Sequence, residues 1–277
     1  MTTLSNPRPE ALDELIRRAT AVDGSPPFSD GALVELANDA RSLVWLGAAV
    51  ALLNANEAEF VVDPDARAQG HGTRMLEHLT HGSDLLFWAH GDHPAARALA
   101  ASHGLEPVRS LLHLEASVPS PLVEHSRGRG DGSRAGSIRA YTPADAATWL
   151  TLNSRAFADH PEQGRVTRAE LDTLIAESWF DADDFLLLWD GPALIGYCWL
   201  KVDNGEGEFY VVGVSPDRQG EGLGRLLVGH GLARLASRGI RTAHLYVEGE
   251  NAAALALYRS FGFADRSVDV QYLWRAP

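Results

Sequence analysis

Lysine and cysteine are scarce in this sequence, and each shortage excludes a class of function. Of 277 residues, 24 are Lys or Arg, and Lys201 is the only lysine. The formal charge of −13 argues against nucleic acid as a partner, because binding to a phosphate backbone needs clustered basic side chains. The single cysteine, Cys198, excludes an internal disulfide framework and fits a reducing compartment.

Long apolar runs are also missing. The longest, residues 43–53, is too short to span a bilayer, and no charged-then-apolar signal segment opens the sequence. The histidines are scattered, without an i, i+4 pair beside a carboxylate, so we expect no metal site. We therefore expect a cytoplasmic protein without a membrane segment, a monomer that acts on a small-molecule substrate.

One pattern of residues occurs twice. Residues 62–72 (VDPDARAQGHG) and 214–224 (VSPDRQGEGLG) share V-x-P-x-x-[QR]-x-x-G-x-G, offset by 214 − 62 = 152 residues. Each copy follows a strand-like run and opens a helix-like one. Glycines there let a polyphosphate approach the free N–H groups of the helix. The second copy lacks the Gly-Lys-Ser/Thr of a P-loop, and Arg225 stands where a dinucleotide fingerprint has its third glycine.

The repeated pattern resembles the acetyl-CoA loop Q/R-x-x-G-x-G/A of the GNAT N-acetyltransferase superfamily. Residues 156–164, 208–216, 245–248 and 251–258 further resemble the mycothiol synthases, which are tandem GNAT enzymes. The likeness is dense from residue 138 to residue 274 and thin before residue 59. It implies acetyl-CoA as co-substrate and, as acceptor, the cysteinyl α-amine of a cysteine–glucosamine–inositol conjugate.

The resemblance also implies an α/β fold of two tandem GNAT-type domains, each a mixed, mostly antiparallel sheet flanked by helices. Residues 117–137, rich in Ser, Gly, Pro and Arg, have no apolar periodicity and are predicted to be a flexible linker. The predicted domains are therefore residues 1–116, degenerate and non-catalytic, and residues 138–277, catalytic.

Hydrophobic periodicity predicts the order of elements in each half. In the second half we predict a strand near Ile138, helices from Pro143 and Thr167, strands 184–189, 193–202 and 206–214, helix 222–238, strand 242–248, helix 251–261 and strand 268–274. In the first half we predict strands 43–46, 48–53 and 57–62, helix 75–81, strand 84–89, helix 93–103 and strand 108–115.

Two residues of the second half suit acid–base chemistry. Glu208, six residues before Val214, is the candidate general base, and strict alternation would place it on one side with Tyr210, Val212 and Val214. Tyr258 is the candidate acid, because a phenol is protonated at neutral pH and can donate to a leaving thiolate. The resemblance assigns both roles. The alternatives are a solvated carboxylate and a tyrosine that only packs on the core.

The first half aligns with the second but lacks these side chains. At the loop offset Glu208 falls on Asn56, and alignment on Gly104 and Gly262 places Tyr258 on Ala100. The first half is therefore predicted to keep the phosphate loop and to lose the acid and the base.

Acetyl-CoA is expected to contact backbone and loop residues in both halves. In the second half these are Val212, Gly213, Val214, Gln219, Gly220, Glu221, Gly222, Leu223, Gly224, Arg225, Tyr246, Asn251, Ala252, Ala253, Ala254, Leu255 and Ala256. In the first half they are Phe60, Val61, Val62, Arg67, Ala68, Gln69, Gly70, His71 and Gly72.

Four residues are candidates for binding the acceptor: Asp30, Glu162, Lys201 and Glu208. A cation and carboxylates around a cavity would suit a polyhydroxylated acceptor that bears an ammonium group. Lys201 and Glu162 match substrate-contacting positions of the resembled family, whereas Asp30 matches poorly. Cys198, between two aromatic residues, is expected to be a small buried strand residue.

Two other functions stay open at this point. One is a GNAT enzyme with another amine acceptor, such as an aminoglycoside, a polyamine or a peptide N-terminus. The other is an acyl-CoA-binding sensor without transfer activity, against which Glu208 and Tyr258 argue.

Overall fold

The computed structural model describes residues 9–119, 136–158 and 163–277. Contacts between these residues group the chain into two compact units that are discontinuous in sequence. The first unit contains Met1–Leu112, Glu248–Glu250 and Ser267–Pro277, and the second contains His113–Val247 and Asn251–Arg266. The predicted domain bounds describe the sequence repeat and stay a prediction. Most of the predicted linker, residues 120–135, lies outside the described chain.

The first unit is built on a mixed sheet with helices against it. Strand β1 pairs antiparallel with β2, β2 antiparallel with β3, β3 parallel with β4, and β4 antiparallel with the last strand of the chain, β11. Its elements are α1 (Glu10–Asp23), α2 (Asp30–Ala37), β1 (Ser42–Leu46), β2 (Ala49–Leu53), β3 (Glu57–Val62), α3 (His71–Leu79), β4 (Leu85–Ala89), α4 (Pro94–Ser102), the first part of β5 (Glu106–Ser117) and most of β11 (Ala264–Trp274).

The second unit repeats this plan. Strand β6 pairs antiparallel with β7, β7 with β8 and β8 with β9, whereas β9 and β10 are parallel. Its elements are the end of β5 from His113, β6 (Ser137–Ala140), α5 (Ala146–Ala156), α6 (Arg168–Leu174), β7 (Phe185–Asp190), β8 (Ala193–Asp203), β9 (Glu206–Val214), α7 (Leu223–Ser237), β10 (Thr242–Glu248) and α8 (Ala252–Arg259). The predicted mixed, mostly antiparallel sheets are confirmed.

Both faces of the second sheet are covered. On one face an aromatic cluster around Trp149, Phe185 and Trp199 packs against α5 and α6. On the other face α7 lies close to the strands at Gly231, where a β-carbon would sit 2.6 Å from Phe209 and 3.0 Å from Cys198. These two faces are called the aromatic face and the α7 face below.

The predicted elements of both repeats are present, with small differences in their bounds. Strands 57–62, 206–214 and 242–248 are as predicted. Helix α3 begins at His71 rather than residue 75, because it starts directly from the glycine loop. The sequence prediction missed α1 and α2, which lie before the repeated pattern begins.

Candidate active site

The two glycine loops adopt the same backbone conformation. Ala68 and Gly220 have φ of 60° and 81°, and Gly70 and Gly222 have φ of 79° and 82°. Gly70 is the N-cap of α3 and Gly222 that of α7, and neither helix has a side-chain cap. The first N–H groups of both helices therefore stay available to an anion at the positive end of the helix dipole.

Strands β9 and β10 diverge after a short contact. Their register pairs Ala243 with Gly207 and His244 with Glu208, at the beginning of both strands. Beyond Glu208 the backbone of β9 runs toward the glycine loop without a described partner in β10. The backbone groups of β9 that point toward β10 in this stretch are therefore without a described partner there, and the predicted contact of Val212, Gly213 and Val214 with an extended ligand arm stays a prediction.

A β-bulge in β9 corrects the predicted alternation. The register with β8 shifts between Trp199 opposite Val211 and Leu200 opposite Phe209, which leaves Tyr210 as an extra residue. Tyr210 and Val211 are consecutive, yet both pack on the aromatic cluster.

The side chains before and after the bulge consequently lie on different faces. Val212 is opposite Cys198, which faces α7. Glu208 and Tyr210 are therefore on the aromatic face, whereas Val212 and Val214 are on the α7 face, and the prediction of a common side was wrong.

Glu208 is a half-buried carboxylate between two cationic or basic side chains. Lys201 lies opposite it on β8 and His244 opposite it on β10. Burial raises the pKa of the Glu208 carboxyl, and the charges of His244 and Lys201 offset this only in part. Within the described part of the chain, no hydrogen bond reaches this carboxylate, so its oxygens can still accept one.

Tyr258 approaches the same opening from the α7 face. It is 8% exposed, its ring centroid lies 5.7 Å from that of Phe263, and Phe263 in turn lies 5.8 Å from Phe209, the neighbour of Glu208. Burial, and to a smaller degree Cys198, raise the pKa of the Tyr258 hydroxyl above its usual value, so the group stays protonated. Glu208 and Tyr258 are thus on opposite faces of the second sheet.

Lys201 has a defined position beside Glu208. Its Nζ lies 5.4 Å from the centre of the Trp179 ring, whose centroid is 5.4 Å from that of Tyr210. Such a cation–π contact orients the ammonium group next to the carboxylate. Of the other acceptor candidates, Asp30 is exposed at the start of α2 in the first unit, and Glu162 lies outside the described residues.

The loop arginines are engaged by the protein. Arg218 is paired with Glu221 at 2.8 Å and with Asp190 at 2.9 Å, so it is no free phosphate ligand. Arg225 is exposed and donates to Ser260 at 3.0 Å beside the loop.

The first turn of helix α8 consists of small residues. Asn251 is its N-cap and accepts a hydrogen bond from the N–H of Ala254 at 3.0 Å. Ala252, Ala253 and Ala256 are exposed, which leaves room for a ligand over the first turn. Cys198 is fully buried as expected, and burial raises the pKa of its thiol.

The first unit keeps a carboxylate that the sequence alignment missed. Strand β3 has no bulge, so counting back from Val62 opposite Ala49 places Glu57, and not Asn56, at the position of Glu208. Glu57 accepts hydrogen bonds from Arg41 at 2.5 Å, Trp88 at 2.9 Å and Gln271 at 3.0 Å. The prediction that this half lost its carboxylate was wrong, although the group is already occupied.

A cavity of about 510 Å³ lies beside the loop of the first unit. It is lined by Gly70, His71, Gly72 and, from the far end, Ala100 and Leu105. Ala100 is a buried residue of α4, so this cavity has no phenol in the position of Tyr258.

Two side chains of the first loop already form hydrogen bonds within the protein. Arg67 forms two hydrogen bonds with Asp23, at 2.7 and 2.8 Å, and His71 accepts one from the N–H of Ala48 at 3.4 Å. Only backbone N–H groups of this loop are left for an anion.

Sequence reasoning missed His113 and His244. His113 Nε2 lies 3.3 Å from His244 Nδ1, and the His113 ring stacks on Tyr246 with a centroid distance of 4.5 Å. The only available signal was the alternation of His244 and Tyr246 on β10, because His113 is 131 residues away.

Comparison with known proteins places this geometry in a family. The model of the acetyltransferase (GNAT) family matches residues 148–263. A mycothiol acetyltransferase from Clavibacter michiganensis is 47% identical, covering 94% of this chain and 89% of its own length, and one from Kytococcus sedentarius is 44% identical over 95% and 93%. The chain belongs to the mycothiol acetyltransferases of the GNAT family. As a GNAT acetyltransferase it uses acetyl-CoA as acetyl donor.

Solved structures share the fold of this GNAT acetyltransferase. A GCN5-related N-acetyltransferase from Sphaerobacter thermophilus has a TM-score of 0.66 at 20% identity, covering 96% of this chain and 91% of that one. A tandem GNAT protein from the clavulanic acid biosynthesis pathway has a TM-score of 0.61 at 17% identity, covering 96% of each. Both similarities support two tandem GNAT folds.

Two absences apply to the described chain. No helix in it is both long and apolar enough to cross a bilayer. Nor does any group of three or more His, Cys, Asp or Glu side chains there have the placement needed to hold a metal ion.

Proposed function

We propose that this protein transfers acetyl from acetyl-CoA to the cysteinyl α-amine of a cysteine–glucosamine–inositol conjugate, which gives mycothiol. The observation that carries the proposal is Glu208, a half-buried carboxylate with no described hydrogen bond, beside Lys201 and the opening between β9 and β10. The name of the relatives, mycothiol acetyltransferase, supports this acceptor.

The donor enters from the α7 face. Backbone N–H groups at the start of α7, together with Gln219 to Gly224, bind the pyrophosphate, since the helix lacks a side-chain cap. The pantetheine arm pairs with the β9 backbone at Val212 to Val214, and Asn251 and the alanines of α8 line its other side. This arrangement leads the thioester to the gap that Tyr258 approaches.

The acceptor enters from the aromatic face. Its α-amine has a pKa of about 7.7–8.0, so a useful neutral fraction exists at neutral pH and the base has only modest work to do. Lys201 and Glu162 contact the polyhydroxylated part, and Tyr210 and Trp179 close the pocket around Lys201. Asp30 is retained as a weaker candidate contact.

Transfer occurs directly in a ternary complex. The amine nitrogen attacks the thioester carbonyl, Glu208 accepts the N–H proton, directly or through a water, and the C–S bond breaks as the amide forms. Tyr258 donates its proton to the departing thiolate. The base acts on the amine nitrogen and the acid on the thioester sulfur, so the two groups serve different atoms and need not lie on the same face of the sheet.

The first unit is proposed as a second acetyl-CoA site without chemistry. Its loop has the conformation of the catalytic one, and a cavity of about 510 Å³ lies beside it. Ala100 supplies no acid, and Glu57 is tied to Arg41, Trp88 and Gln271. Titration of the protein with acetyl-CoA by calorimetry tests this: two sites are expected, and one site would contradict it.

The experiment that tests the function is mass spectrometry of the product formed from acetyl-CoA and the conjugate. We expect an added acetyl group on the cysteinyl nitrogen and one equivalent of CoA thiol. A parallel panel contains an aminoglycoside, a polyamine and a peptide with a free N-terminus. Acetylation of one of these, with the conjugate left unreacted, would overturn the acceptor and keep the acetyltransferase.

A further inference from the structure

Four ionisable side chains form a row across neighbouring strands of the second unit. Lys201 on β8 lies opposite Glu208 on β9, and Glu208 lies opposite His244 on β10. His113 on β5 is next, with Nε2 at 3.3 Å from Nδ1 of His244 and the ring centroids 5.2 Å apart. Opposite residues of adjacent strands project from the same face, so the whole row shares the aromatic face with the acceptor.

We propose that His244 and His113 form an imidazole relay that carries the reaction proton from Glu208 to water. The proposal rests on the proposed function, because it needs Glu208 as the base, but it holds for any amine acceptor. Each turnover leaves one proton on the half-buried Glu208, which must lose it before the next amine can react. It also leaves Tyr258 as a phenolate, which takes a proton back from water, so the protons balance. His244 is the neighbouring group on the side away from Lys201.

The ring nitrogens are arranged for this transfer. Because Nδ1 of His244 faces His113, its Nε2 is the nitrogen left for the proton from Glu208. As Nε2 gains this proton, the Nδ1–H proton of His244 moves to Nε2 of His113, and His113 releases its own Nδ1–H proton to water. Rotation or tautomer exchange of the two rings restores the start, so one proton enters and one leaves.

The charged groups around the row favour this direction. Burial raises the pKa of the Glu208 carboxyl, and His244 and then the Lys201 ammonium on the β8 side oppose this, so both neighbours promote proton release. At the other end, Glu115, two residues along β5 from His113, is paired with Arg266 at 2.7 Å.

Tyr246 holds the outer ring in place. It is 50% exposed and stacks on His113 at an interplanar angle of 15°. The ring that covers His113 is therefore in contact with solvent, and His113, like Glu208, is half buried.

Buffer rescue tests the relay. We would measure kcat of wild type, His244→Gln and His113→Gln at fixed pH and ionic strength, with whichever amine the wild type accepts, in increasing concentrations of imidazole. We expect each variant to lose roughly 10- to 100-fold in kcat, less than the ~10²–10⁴ lost with a direct base. Added imidazole should restore much of this loss and leave wild type unchanged.

Control measurements separate the relay from a structural role. His230→Gln, at an exposed position of α7, should keep wild-type kcat without any imidazole dependence. Acetyl-CoA affinity by calorimetry should be the same in all four proteins. Unchanged kcat in both relay variants would overturn the proposal, and so would a loss that imidazole does not restore. If His244→Gln does not fold, His113→Gln decides alone, because the relay needs both rings.

Failure of the acceptor assignment remains distinguishable from failure of the relay. If the wild type acetylates another amine and imidazole restores kcat in the histidine variants, the relay stands and the conjugate is contradicted as the acceptor. If the wild type acetylates the conjugate and the two histidine variants have wild-type kcat, the proposed function stands and the relay is contradicted.

Discussion

Two glutamates of this protein, Glu57 and Glu208, correspond in position and differ in the side chains that surround them. Glu57 and Glu208 occupy equivalent register positions in the two sheets. Arg41, Trp88 and Gln271 satisfy the first, whereas the second lies between Lys201 and His244 with its acceptor capacity unused by the described chain. The oxygens of Glu57 are already engaged by these three donors, whereas no described hydrogen bond engages those of Glu208, which supports the proposed role of Glu208 as the base.

Replacement of the base should remove one limb of the pH profile. In Glu208→Gln we expect kcat to fall about 10²–10⁴-fold, the usual contribution of general base catalysis. Glu208 works deprotonated, so wild-type kcat should rise with pH through the raised pKa of this carboxyl, and the variant should lack that rise. Initial rates from pH 5 to pH 9 measure it. Glu206→Gln, an exposed change on the same strand, is the matched control and should behave as wild type.

Removal of the phenol should affect turnover and spare binding. In Tyr258→Phe we expect kcat to fall about 10²-fold or more, because the leaving thiolate loses its proton donor. Acetyl-CoA affinity by calorimetry should change little. Tyr141→Phe is the control, since it removes a buried hydroxyl that has no hydrogen-bond partner in the described structure. Wild-type turnover in Tyr258→Phe would remove this residue from the mechanism.

At the scale of elements, the bulge in β9 and the glycine-rich face of α7 shape the site together. The bulge leaves Glu208 on the aromatic face and puts Val212 and Val214 on the α7 face. Helix α7 approaches the strands closely because Gly231 carries no side chain at the contact with Phe209 and Cys198. The same helix begins at the phosphate loop, so its distance from the sheet sets the position of the donor.

A methyl group on the inner face of α7 tests this packing. Gly231→Ala would place a β-carbon 2.6 Å from Phe209, and we expect a loss of about 1–3 kcal/mol in the free energy of unfolding from overpacking, with weaker acetyl-CoA binding. Gly229→Ala, in the same helix but 3.9 Å from its nearest neighbour, should instead gain up to about 1 kcal/mol in helix propensity. Urea unfolding of both variants gives the comparison. Equal effects would show that the close contact is unimportant.

At the scale of the whole molecule, the two units put their ionisable side chains to different uses. In the second unit Lys201, Glu208, His244 and His113 form the row that is proposed to carry the reaction proton. In the first unit, His90 is held between Asp269 at 3.0 Å and Glu59 at 3.1 Å. Burial opposes the charge on His90, but the two carboxylates prevail and raise its pKa to about 9. This cluster stabilises the fold, and both ring nitrogens of His90 are already engaged by the two carboxylates.

The His90 cluster predicts a pH dependence of stability. A pKa raised from 6.5 to about 9 stabilises the folded state by roughly 3 kcal/mol below pH 6.5, and this contribution disappears as pH rises toward 9. The difference in unfolding free energy between wild type and His90→Gln should therefore be largest below pH 6.5 and shrink above it. Urea unfolding at several pH values measures it, with the exposed His78→Gln as control. A difference independent of pH would contradict the charged clamp.

The sequence by itself determined the local features of this protein. The glycine loops, the helices that open from them, the Asn251 cap and the strands that carry Glu208 could be predicted, because turn geometry, capping and periodicity depend on neighbouring residues. The two folds, the candidate acid and base, and the family could be predicted through the repeated motif. Glu162 and the linker stay predictions.

Only the tertiary structure decided what depends on residues far apart in the chain. The extra residue in β9 reversed the faces of Val212 and Val214 and matched Glu208 with Glu57, which no count along one strand could show. His113 met His244 across 131 residues, and the last strand joined the first unit. Strand pairing fixes such neighbours, and its register is set by packing over the whole sheet, which the local pattern of one segment does not contain.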